Sequence, residues 1–120
     1  MAMDPQPLFR TSDALPGLIE RARRFVDEHC IPHERREHAH DVEAFDAAIA
    51  ELRPVARELG LYAPQLPRTL GGQELTWCDR AVLLEEAGRS PLAPAAMNCA
   101  PPDQPNMINL LRHGTPAQQR

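Results

Sequence analysis

The stretch Glu85–Gly114, EEAGRSPLAPAAMNCAPPDQPNMINLLRHG, decides how the rest of the chain is read. Gly88 is a helix stop. Ser90-Pro91 is an N-cap followed by proline at the first helical position, where the missing N–H costs nothing. Together they predict a helix over Leu92–Ala100, with Pro94 still inside its tolerant first turn. Pro101-Pro102 breaks that helix. Asp103 then caps another, with Met107, Ile108, Leu110 and Leu111 apolar and Gly114 as its stop. The segments before this stretch read as helices that pack around these two.

Toward the N-terminus, Thr76 opens a helix with Asp79 as a short capping-box partner, and Ala81, Val82, Leu84 and Ala87 form its expected apolar face. Leu61–Leu75, LYAPQLPRTLGGQEL, is a turn-rich connection built on Pro64, Pro67, Gly71 and Gly72. Phe45, Ile49, Leu52, Val55, Ala56 and Leu59 form a helical stripe that Pro54 either kinks or restarts. Gly60 supplies its left-handed stop, and Arg57 stands where a cation favours the last turn. His33–Asp41 is almost wholly polar, a solvated helix extension or a connection. Leu15, Leu18, Ile19, Ala22, Phe25 and Val26 define a first helix reaching about Cys30, with Thr11, Ser12 and Asp13 as cap candidates and Pro32 as its end or kink. Residues 1–13 read as a flexible tail.

At the other end, Thr115-Pro116-Ala117-Gln118 repeats the start signal: a cap, proline at N1 and glutamine at the capping-box position. A helix announced there and halted at Arg120 makes residues 14–120 read as a domain truncated at its C-terminus. No strand-like alternation or hairpin signal interrupts the series. The expected architecture is all-α, an orthogonally packed bundle of about five helices.

Composition narrows the function. The chain has 120 residues, one domain or part of one, with 42% hydrophobic, 25% charged and only 4% aromatic residues. Its core must therefore be built from Leu, Ile, Val, Ala and Met. A net charge of −4 gives no basic footprint for nucleic acid. No apolar run spans a bilayer and no signal-peptide pattern lies near the N-terminus. Three cysteines without framework spacing fit a reducing, cytoplasmic setting. The thirteen basic residues are all arginine, which reflects a GC-rich genome and not a binding site.

Several constellations carry no chemistry on this reading. His29, Cys30, His33, His38 and His40 include a pair four residues apart, but Pro32 lies between them among Arg and Glu, so a solvated face is expected and no metal. Cys99 has no histidine near it in sequence and reads as buried and inert. Glu85 and Glu86 are adjacent helix positions that do not face each other, so they are not an acid/base pair. Gly71-Gly72 lacks phosphate-loop spacing and reads as a turn. Ala95-Ala96-Met97 is ordinary helix packing or, with Cys99 and Ala100, one side of a pocket.

Three segments, in this order, resemble the N-terminal helical domain of the acyl-CoA dehydrogenases. These are ARELGLYAPQLPRTLGG (Ala56–Gly72), LLEEAGRSPLAPAAMNCAPPDQPNM (Leu83–Met107) and HGTPAQQR (His113–Arg120). The middle one follows the family's GRSPLAP...NC.(A/P)PD..NM pattern, and the resemblance covers about Phe25–Arg120. It implies an FAD-dependent oxidoreductase of fatty acid metabolism. A glutamate base removes an α proton from an acyl-CoA thioester, and the flavin takes a hydride from the β carbon. In that family a β domain and a C-terminal four-helix bundle carry most flavin contacts and the base, and both lie beyond Arg120. This chain alone is then expected to bind no FAD, to hold no catalytic residue and to depend on those missing domains as partners, with oligomerisation open. The resemblance assigns Ala95, Ala96, Met97, Cys99 and Ala100 to the wall of the acyl pocket. Pro101-Pro102 and Pro105 crowd the following turn more than the pattern does. The competing reading is a non-catalytic helical interaction module, the remnant of a truncated gene.

Overall fold

The structure is a computed structural model that describes residues 11–120, so most of the expected tail lies outside the described residues. Five helices carry the fold: α1 (Leu15–Phe25), α2 (Val42–Glu58), α3 (Trp77–Ala87), α4 (Ala93–Ala96) and α5 (Asp103–His113). There is no strand among the described residues. The architecture is all-α, as the start and stop signals predict.

α1 buries Leu15, Leu18, Ala22 and Phe25, the i, i+3, i+7, i+10 stripe of an amphipathic helix. The expected caps at Thr11–Asp13 are not used: Ala14 holds the N-cap position without a side-chain bond. Ser12 instead donates its backbone N–H to Asp79 Oδ1 at 2.9 Å, tying the chain to the start of α3. Past Phe25 the helix widens into a π-helical turn over Val26–Cys30, closed by the Ile31 N–H on the Val26 carbonyl, and continues through Ile31–His33. Pro32 thus lies inside a last turn and the chain leaves it at Glu34 in extended conformation. A proline ring crowds the carbonyl four residues before it, and a wider preceding turn relieves that crowding.

α2 is one continuous helix with Pro54 inside it, not two. Pro54 is exposed, so the carbonyl it leaves unbonded can reach water. Asp41 caps the start by accepting from the Ala44 N–H at 3.1 Å. The end is a Schellman turn: Gly60 takes φ +70°, Leu61 N–H reaches the Ala56 carbonyl at 2.8 Å and Gly60 N–H the Arg57 carbonyl at 3.0 Å. Arg21 of α1 adds a 2.8 Å bond from Nε to the Leu59 carbonyl, and Arg57 stacks 3.6 Å over the Tyr62 ring.

The connection before α3 turns tightly at Gly72, where a Cβ would overlap the Leu66 carbonyl backbone. Thr76 and Asp79 form the expected reciprocal capping box of α3. Its buried face differs from the expected one, however. Asp79, Leu83 and Ala87 face the core, whereas Val82 and Leu84 are each 39% exposed. The helix is apolar on several sides, so packing against α1, not periodicity, selects the face. Arg89, just after α3, pairs with Glu86 and with Asp27 of the π-helical turn, and Arg23 reaches Glu86 at 3.6 Å.

The expected Leu92–Ala100 helix is only the single turn α4. Asp103 is the first residue of α5, not its cap; Pro102 holds that position without a side-chain bond. The final start signal does form its local bonds: Thr115 N–H donates to Gln118 Oε1 at 2.9 Å and Gln118 N–H to Thr115 Oγ1 at 3.4 Å.

Candidate functional site

The residues singled out for the pocket wall sit on α4 and the turn after it. α4 ends early because Asn98 takes φ +52°, a left-handed conformation that asparagine tolerates. The turn is a second Schellman motif: Cys99 N–H bonds the Pro94 carbonyl at 3.0 Å and Asn98 N–H the Ala95 carbonyl at 3.1 Å. Neighbouring side chains here go to different places. Ala96 and Met97 have no exposure and Cys99 only 7%, so all three are core residues. Ala95 and Ala100, partly exposed, edge a groove of about 210 Å³ whose other side is Phe45, Asp46, Ile49 and Arg53 of α2.

Buried polar groups from the 61–75 connection brace this turn. Met97 accepts the Ala63 N–H at 2.7 Å, and Gln65 Nε2 donates to the Asn98 carbonyl at 3.0 Å. Asn98 Nδ2 donates to Tyr62 Oη at 3.0 Å, and Gln65 Nε2 also approaches Met107 Sδ at 3.4 Å. Such a network holds the groove edge in one geometry. Two of its neighbours are left over: Gln65 Oε1 and Arg53 Nε are buried with no hydrogen-bond partner among the described residues.

Burial pushes Cys99 up to about 12, so it is a thiol at neutral pH, and its Sγ donates to the Pro94 carbonyl. Cys30 is likewise pushed up to about 12, by burial first and Glu34 second. Neither is an activated nucleophile. His33 Nδ1 lies 2.8 Å from the His29 carbonyl and its Nε2 3.2 Å from Glu51, so His29 and His33 do not converge on a common ligand position. Among the described residues no group of three His, Cys, Asp or Glu side chains could hold a metal ion. Glu86 is engaged in the arginine pairs described above and Glu85 is exposed. A further groove of about 420 Å³, lined by Arg35, Arg36, His38 and Phe45, contains none of the residues expected at the pocket wall.

Sequence reading missed Arg53, Gln65 and Asn98. Arg53 left a signal, because it falls on the α2 stripe four residues after Ile49 and three before Ala56, an arginine where apolar residues are expected. Gln65 and Asn98 left none, since they meet across 33 positions of chain.

The all-α architecture, with no strand among the described residues, is that expected of an acyl-CoA dehydrogenase N-terminal domain. Residues 13–120 match the family described as "Acyl-CoA dehydrogenase, N-terminal domain", and the chain belongs to that family. It is also similar to (R)-benzylsuccinyl-CoA dehydrogenase of Thauera aromatica, 29% identical over an alignment that covers 92% of this chain and 30% of the relative. The chain therefore spans about a third of that curated relative's length. No solved structure gives a significant match. Among the described residues no helix is long and apolar enough to cross a membrane.

Proposed function

We propose that residues 14–120 are the N-terminal helical domain of a cytoplasmic, FAD-dependent acyl-CoA dehydrogenase, and that the turn after α4 contributes to the wall of its acyl pocket. The supporting observation is the position of Ala95 and Ala100. These small side chains edge the groove opposite Phe45 and Ile49, while Ala96, Met97 and Cys99 back them from the core. Methyl groups and an aromatic ring can desolvate an acyl chain and orient it, which is how such a wall contributes to rate. The substrate class is an acyl-CoA thioester, as the relative's name also indicates for that protein.

FAD is the cofactor the family implies, and it would supply the redox step. Nothing in this groove points to a flavin: the alanines offer no donor and Asn98 Nδ2 is already bonded within the protein, which leaves Arg53 as the groove's one side chain with donors uncommitted among the described residues. The role of this chain is confined to shaping and shielding the acyl group, with the base and flavin held by β and C-terminal domains.

The test uses the native full-length protein. A product longer than this chain by intact mass, yellow with bound flavin and reducing an electron acceptor with acyl-CoA, is expected. Ala95→Phe should lower kcat/KM about 10-fold or more on long acyl chains, by displacing the substrate from its bound geometry, while the melting temperature changes little. Unchanged kinetics in that variant would remove the wall assignment.

A second reading, a helical interaction module, is favoured by one observation: Trp77 is 64%, Leu110 45% and Leu70 38% exposed. A native product ending at Arg120 without flavin would select it.

A further inference from the structure

We draw no further inference here: the strongest candidate, the apolar face of α5 where Met107, Leu110 and Leu111 meet Leu66 and Leu70 of the connection before α3, carries nothing because nothing in the structure shows what covers it.

Discussion

Asp79 is 1% exposed and yet sits where a charge is useful. Its carboxylate accepts the Ser12 N–H at 2.9 Å and approaches the Thr76 N–H at 3.4 Å, while Thr76 Oγ1 accepts the Asp79 N–H at 3.2 Å. Burial pushes the carboxyl upward, but the bonds from Ser12 and Thr76 outweigh it and hold the group below the ordinary carboxylate value. A folded-state pKa below the unfolded one contributes stability that is fully present above the unfolded value of about 3.9 and is lost as pH falls through the folded pKa. Asp79→Ala should therefore cost about 1–3 kcal/mol at pH 7, the range of a lost cap and a lost charged hydrogen bond. Urea unfolding at pH 7 and again near pH 3 checks it. The gap between variant and wild type should narrow in acid, and an equal gap at both pH values would show that packing, not charge, is what the residue supplies.

α3 shows what sequence can and cannot resolve at the scale of an element. Its start was legible because Thr76 and Asp79 act on each other three residues apart, and the stop of α2 was legible because a glycine, as at Gly60, adopts positive φ without steric cost. Both are local chemistry. The facing of α3 was not, since Ala81, Val82, Leu83, Leu84 and Ala87 offer an apolar side in nearly every direction and only contact with α1 chooses among them. The same holds at the candidate site. Ala95 and Ala96 are the same residue type one position apart, but one edges a groove and the other lies in the core. That division is the roughly 100° offset between adjacent positions of α4, and which of the two faces the core is set by packing. The chosen face of α3 gives a direct comparison. Leu83→Ala should cost about 2–5 kcal/mol as a buried truncation, whereas Leu84→Ala, at a 39% exposed side chain, should cost less than about 1 kcal/mol. Equilibrium unfolding of the two variants measures the order, and a reversed order would mean that α3 packs by the face periodicity suggests.

Across the whole molecule, burial is uneven. The continuous core joins Leu18, Phe25 and Val26 to Leu52, Leu61, Leu83, Leu92 and Met97. α5 contributes no buried residue to it. That helix is held from one side by Met107, against Gln65 and Asn98, and at its end by Gln119, whose Nε2 donates to the carbonyls of Leu110, Leu111 and Gly114 at 3.0–3.1 Å. Local stability follows buried contact, so segments with little of it open without the rest of the structure unfolding. Amide hydrogens of Leu110 and Leu111 should therefore exchange through local opening, with protection well below that of Phe25, Leu52 or Leu83, which should exchange only by global unfolding. Native-state hydrogen exchange on the 120-residue chain reads this directly. Substituting Met107→Ala should lower protection throughout α5 and leave the Phe25 amide almost unchanged. Equal protection of α5 and the core would mean instead that the helix belongs to the same cooperative unit, and that the partly exposed Leu70 and Leu110 are packed more firmly than their exposure indicates.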